Sequence, residues 1–228
     1  MNILAIDTST EVLSLALSCP GGIWQAEINA GVRHSELLME WVDKIFKSSG
    51  IGSGDLELVV CMKGPGSFTG LRIGYAAAKG LSMALGIPLA AVPTLDCIAV
   101  PHSVWPGIIL TVLDAKKSCF FAALYRNGKL LTDYLDEEPD SILSVLESHM
   151  NLNEPVLVTG NGAELFLSKT GNQLTEKKIS LDPIFSKGRS AEMLIILKQN
   201  DTLNYLEKIN SGPFYIRKSD AELNLQRK

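Results

Sequence analysis

The chain has no run of eighteen apolar residues, so no membrane-crossing helix is expected. It has no CxxC pair. Cys19, Cys61, Cys97 and Cys119 lie far apart, three of them in apolar runs, which reads as buried reduced thiols in a cytosolic protein. Its three histidines, His34, His102 and His149, form no HxxxH or HExxH, so no helical zinc or iron pair is encoded. No GxSxG nucleophile elbow is present; Gly64-Pro65-Gly66-Ser67 misses it. No Walker A loop is present either, because neither Lys-Ser nor Lys-Thr follows Gly70. There is no basic excess: 21 Lys and Arg face 25 Asp and Glu, for a net charge of −4. That argues against a chain gripping nucleic acid by itself, though not against a subunit of a larger nucleic-acid machine.

What is present fits an α/β globular protein. Apolar residues make up 46% of the 228 and charged residues 20%, enough for a sizeable core and too apolar for disorder. Ile3 to Asp7 is an apolar run ending in an acid, and the N-terminus reads as a strand rather than a signal peptide. Val12 to Ser18 alternates, Cys19-Pro20-Gly21-Gly22 is a turn, and Ile23 to Asn29 is a third strand, giving an antiparallel meander. Leu37, Leu38, Trp41, Val42, Ile45 and Phe46 repeat at helical spacing, with Ser35 as expected N-cap and Gly50 at the left-handed end. His34, just before that helix, reads as solvated or capping. Leu58 to Met62 is a short strand, the loop 63–69 follows, and a second helix runs from about Gly70 to Leu85 with Thr69 as its cap.

The second half repeats this order. Ile108 to Asp114 is again an apolar run ending in an acid, and four residues separate each acid from the next strand, at Val12 or Cys119. Asn127-Gly128 signals a hairpin with Leu130 to Leu135 as partner strand. A helix opening at Pro139, a strand at Val156 to Val158 and a short helix after Gly160-Asn161-Gly162 complete the pattern. The expected fold is a duplicated α/β domain, with a mixed sheet in each lobe, a first lobe of residues 1–100 completed by C-terminal residues, a second lobe of residues 101–228, and a junction near residues 95–107, where Pro93, Pro101 and Pro106 interrupt the pattern.

Two features bear on chemistry. Asp7-Thr8-Ser9-Thr10 places an acid and hydroxyls at a strand end, where turn amides can form an anion nest; equally, Asp7 can satisfy those amides itself. The loop Gly64-Pro65-Gly66-Ser67-Phe68-Thr69-Gly70 lies between a strand and a helix N-terminus, a position that can bind an anion or simply make a tight turn. Together they give Asp7, Thr8, Ser9, Gly64, Gly66, Ser67 and Thr69 as candidate phosphate or nucleotide residues. In the helix that follows, Gly70, Gly74, Ala78 and Ser82 recur every four residues and make one face smooth. A glycine inside a helix costs about 0.8–1.0 kcal/mol against alanine, which close approach of the chain's own sheet or of another subunit's helix would explain.

Ile3-Leu4-Ala5-Ile6-Asp7-Thr8-Ser9-Thr10, Arg33-His34-Ser35-Glu36-Leu37, Gly64 to Gly74, and Ala78-Lys79-Gly80-Leu81 with Leu85-Gly86-Ile87-Pro88 resemble the TsaB (YeaZ) family of bacterial tRNA threonylcarbamoyladenosine biosynthesis proteins. The likeness runs through about the first 95 residues and is looser beyond, at Asp114-Ala115-Lys116 and Pro213-Phe214-Tyr215-Ile216-Arg217. It implies an actin-like, Hsp70-like ATPase fold. It also implies a cytoplasmic chain without catalytic residues, metal or a required cofactor, and not a protease. Such a chain would support a TsaD-like catalytic subunit alongside a TsaE-like P-loop ATPase. ATP or ADP would belong to the complex, tRNA would be met through the complex, and the chain alone would form a homodimer. The two first-lobe helices would carry the interface, with Leu38, Trp41, Val42, Ile45, Gly70, Gly74, Ala78 and Ser82 as its candidate residues. The alternative is an autonomous ATPase or phosphotransferase of the same fold, using Asp7 and the 64–70 loop.

Overall fold

A computed structural model describes residues 1–171, 178–208 and 210–217. The first lobe is built on β1 (Ile3–Asp7), β2 (Val12–Cys19), β3 (Gly22–Asn29), α1 (His34–Ser49), β4 (Leu58–Gly64), α2 (Phe68–Leu85) and β5 (Leu89–Pro93). Its sheet has the order β3-β2-β1-β4-β5: β1, β2 and β3 pair antiparallel, and β4 and β5 continue parallel to β1. The second lobe has β6 (Ile108–Asp114), β7 (Phe120–Arg126), β8 (Lys129–Leu130), β9 (Leu135–Glu137), α4 (Pro139–His149), β10 (Val156–Thr159), α5 (Ala163–Thr170) and β11 (Ile179–Leu181). Its order, β8-β7-β6-β10-β11, reproduces the first in direction and connection. The chain is therefore two copies of one mixed α/β lobe, the arrangement expected of the actin-like fold.

Each sheet is covered on both faces, which is why its central strands are apolar throughout rather than alternating. Leu4, Ile6, Leu13, Leu15 and Leu17 face α1 and α2, while Ile3, Ala5, Ala16, Val60 and Met62 face the opposite way. Across that second face lies α6 (Ser190–Gln199), contributed from beyond the second sheet, through Met193, Leu194, Ile196 and Leu197. Conversely α3 (Thr94–Ala99), which follows the first sheet, puts Leu95, Ile98 and Ala99 against Ile109, Leu113, Ala123 and Tyr125 of the second. The lobes exchange these two helices, so neither sheet is closed without the other half of the chain.

Three local expectations are corrected. Helix α1 begins one residue before Ser35, flanked by Arg33 with no side-chain cap, because His34 is drawn inside, near the backbone of Thr10, Val12 and Gly31. Helix α2 is capped by Ser67, whose hydroxyl accepts the Gly70 N–H at 3.2 Å, and not by Thr69, which is exposed. The strand expected over Leu130 to Leu135 is split into β8 and β9, because the Thr132 hydroxyl takes the Leu124 N–H that a paired carbonyl would accept. Gly50 does close α1 in the left-handed conformation, at φ 76°.

Candidate functional site

The residues of the expected phosphate turn converge, and they bond to one another. Asp7, 1% exposed, ends β1. Its Oδ1 accepts the Ser9 N–H at 2.9 Å and the Ser9 hydroxyl at 2.7 Å, and its Oδ2 accepts the Arg189 N–H at 2.9 Å. Arg189 precedes the first residue of α6, so the carboxylate sits at the positive end of that helix. Burial, with some help from the Glu192 charge, nevertheless pushes the Asp7 carboxyl above its ordinary value; the hydrogen bonds from Ser9 and Arg189 counter that only in part. Thr8 donates its hydroxyl to the Gly70 carbonyl at 2.7 Å, and the Ser67 N–H donates to the Ser9 carbonyl at 2.7 Å. Gly66 lies against the Ser9 backbone and Gly64 against the carbonyl of Phe214. Of the expected set, Ser67 and Thr69 are exposed, and Ser67 is tied in through its N–H on the Ser9 carbonyl. The polar groups of the turn and of the Gly-rich loop thus hold β1, α2 and α6 together.

The equivalent acid of the second lobe is differently placed. Asp114 is partly exposed and accepts the Lys116 N–H at 2.8 Å and the Lys116 ammonium at 2.7 Å. Partial burial raises its pKa, but those hydrogen bonds outweigh it and leave the carboxyl below its ordinary value. The Lys116 ammonium also feels Glu11 of the first lobe, so the turns after β1 and β6 face each other.

Beneath these turns lies a buried polar cluster that joins the lobes. Asp182 accepts the Thr159 hydroxyl at 2.7 Å, with His102 Nε2 at 3.1 Å and Arg189 Nη2 at 3.8 Å. Glu192, on α6, stands 3.6 Å from Arg189 Nη1 and 3.3 Å from Lys187 Nζ. Ser14 and Ser190 share a hydrogen bond of 2.6 Å. Burial pulls His102 below its ordinary pKa against the attraction of Asp182. The sequence held no periodic signal for this cluster, since its members come from segments up to 176 residues apart; a carboxylate inside the apolar stretch of α6 was its one local trace. Among the described residues, no group of three or more His, Cys, Asp and Glu is placed to hold a metal ion.

The expected interface residues divide by face. Leu38, Val42 and Ile45 are core residues of the first lobe, and Gly70, Gly74 and Ala78 are buried too, the two glycines packed on Thr8. Their placement on a partner surface is corrected: the smooth stripe admits the chain's own β1 turn. Ser82 is half-buried and donates to the Ile87 carbonyl at 2.6 Å. Trp41 is half-buried with Lys44 Nζ 4.2 Å from its ring centre. Leu37 and Trp41 on α1 and Ile73, Ala77 and Leu81 on α2 pack against the first-lobe core and keep part of their apolar surface exposed. Beside them a second small-residue row, Ala76, Gly80 and Ala84, is exposed, and a Cβ at Gly80 would meet nothing within 4 Å.

Comparison with known proteins adds the following. Residues 19–223 match the family model described as TsaD, tRNA N6-adenosine threonylcarbamoyltransferase. The chain is 29% identical over 225 residues to the tRNA threonylcarbamoyladenosine biosynthesis protein TsaB of Bacillus subtilis, covering 97% of this chain and 96% of that one. It is 34% identical over 134 residues to the protein of that name from Escherichia coli, 57% of each chain. Among solved structures, YeaZ from Pseudomonas aeruginosa superposes with a TM-score of 0.74 at 20% identity, covering 94% of this chain and all of that one.

Proposed function

Because the chain belongs to the TsaD family of that model, and within it to the TsaB (YeaZ) proteins of tRNA threonylcarbamoyladenosine biosynthesis, we propose that it is a non-catalytic scaffold subunit of the cytoplasmic complex that adds threonylcarbamoyl to tRNA adenosine. Its partner is a TsaD-type catalytic subunit, with a TsaE-type ATPase in the same assembly. The chain needs no cofactor of its own, ATP or ADP serves the complex, and tRNA is met through the complex. Alone, the chain forms a homodimer through the surface that it otherwise offers to the partner.

The observation that carries this reading is the apolar surface that α1 and α2 leave exposed. Leu37, Trp41, Ile73, Ala77 and Leu81 give an apolar seam, and the row Ala76, Gly80, Ala84 lets a second helix come close. The opposing observation for an autonomous ATPase is equally concrete: both Asp7 oxygens and the Thr8 hydroxyl are engaged inside the chain.

Gly80→Leu is the test. The position is exposed, helical and open, so leucine is expected to leave the fold intact and to stabilise the helix by about 0.8 kcal/mol. On the partner face the same side chain holds the facing helix away. Affinity for the purified TsaD-type subunit, read by calorimetry, is expected to fall about tenfold or more, the scale of an interface hot spot. Unchanged affinity would remove α2 from the interface.

A further inference from the structure

Residues 213–217, Pro-Phe-Tyr-Ile-Arg, lie beyond α6 and outside both sheets. Yet residues 211–217 touch both lobes. On the first-lobe side, Lys79 donates to the Ser211 carbonyl at 3.2 Å and the Phe214 N–H donates to the Lys63 carbonyl at 2.7 Å. Gly64, at φ 112°, brings its Cα so close to the Phe214 carbonyl that any Cβ would overlap it. The Tyr215 ring stacks at 4.8 Å on Phe68, and Arg72 donates to the Tyr215 phenol oxygen at 3.1 Å while its guanidinium lies 3.8 Å from the Phe68 ring. On the second-lobe side, Arg217 grips Asp136 with two nitrogens, Nε at 2.7 Å and Nη2 on the other oxygen, and sends Nη1 to the Ala115 carbonyl at 3.2 Å. Phe214 stands 6.3 Å from Tyr134.

The anchor points give this path its meaning. Lys63 and Gly64 end β4, and Ala115 follows the last residue of β6. In α/β folds the ends of the strands border the crevice where a ligand bridges two halves. Here the bridge between those ends is made by the chain's own segment. Its second-lobe end is a two-point charge-assisted grip between side chains 25% and 14% exposed, and the bidentate geometry gives the contact direction as well as energy. We infer that residues 211–217 are a strap that fixes the angle between the two lobes without any ligand, with Arg217 on Asp136 as its fastener.

The isolated chain suffices for the test, with scattering extrapolated to dilutions at which it is monomeric, so that the radius reports the lobes and not a homodimer. Arg217→Ala unfastens the strap, and Asp136→Asn weakens the same grip while leaving Arg217 on the Ala115 carbonyl. Hydrogen exchange at the Phe214 amide reads strap release, and small-angle scattering reads the lobe angle. Arg217→Ala is expected to speed exchange at Phe214 about tenfold or more, since both contacts to Asp136 and the one to the Ala115 carbonyl are lost together, and to enlarge the radius of gyration. Asp136→Asn is expected to move both in the same direction by less. Faster exchange with an unchanged radius in both variants would show a docked tail that governs nothing, and unchanged exchange would show no fastener at all. Either result overturns the strap.

Discussion

Gly74→Leu is expected to lower the melting temperature by about 6–12 °C whether or not a partner is present. A Cβ at Gly74 would fall inside the radius of the Thr8 Oγ1 atom. That oxygen cannot swing away freely, because its hydroxyl is bonded to the Gly70 carbonyl at 2.7 Å in a buried site. Overpacking of a tight core costs up to about 3 kcal/mol, and the broken hydrogen bond adds about 1 kcal/mol. Leucine's better helix propensity returns about 0.8 kcal/mol. The balance, near 3 kcal/mol, corresponds to that temperature shift for a domain of this size. Thermal unfolding by circular dichroism checks it. The contrast with Gly80→Leu is what matters: two glycines of one helix, six residues apart, are expected to separate stability from association. A Gly74→Leu protein that melts normally but loses its partner would return the inner stripe to the interface.

That contrast marks where the sequence was legible and where it was not. Gly70, Gly74, Ala78 and Ser82 announced a close approach, but spacing within one helix cannot say whether a sheet or a second subunit approaches. The order of elements, by contrast, rests on local periodicity and turn chemistry. The shared order of elements and the acid that ends each first strand, Asp7 and Asp114, exposed the duplication, although the two turns differ by one residue, β7 opening at Phe120 rather than at the expected Cys119. That C-terminal residues complete the first lobe was expected, but that α6 does so, and that α3 is given to the second lobe in return, had no such trace. An apolar helix face fits either sheet, and which sheet it covers is decided by chain connection across the lobes rather than by its own residues. Asp7, Thr8, Ser9, Gly64, Gly66 and Ser67 could be singled out as one converging set because each stands at a strand end or a turn, though the bonds they make are to one another and to the chain's own backbone. Arg189 was missed because what it supplies to Asp7 is a backbone N–H, and every residue but proline carries one.

Asp7→Ala is expected to destabilise the chain by about 3 kcal/mol or more, and this follows from counting donors. Removing the carboxylate strands the Ser9 N–H, the Ser9 hydroxyl and the Arg189 N–H, all in a site closed to water. Each stranded buried donor costs about 1–3 kcal/mol, and the loss falls on the joint between β1 and α6, where the lobes are tied. Asp7→Asn keeps the shape but turns an amide NH2 toward one set of donors, so it too is expected to be destabilised. The asparagine variant also isolates a pH signature. Burial raises the Asp7 pKa in the folded state, so the folded chain holds this proton more tightly than the unfolded chain. The stability gained from that proton is complete below the ordinary carboxylate pKa and is lost as pH rises through the raised value. Urea unfolding of both proteins across the acid range reads it. The stability difference in favour of the parent is expected to be largest at the acid end and to narrow as pH rises through that window. A difference independent of pH would mean that Asp7 titrates in the folded chain as it does in the unfolded one, and that the hydrogen bonds from Ser9 and Arg189 fully offset its burial.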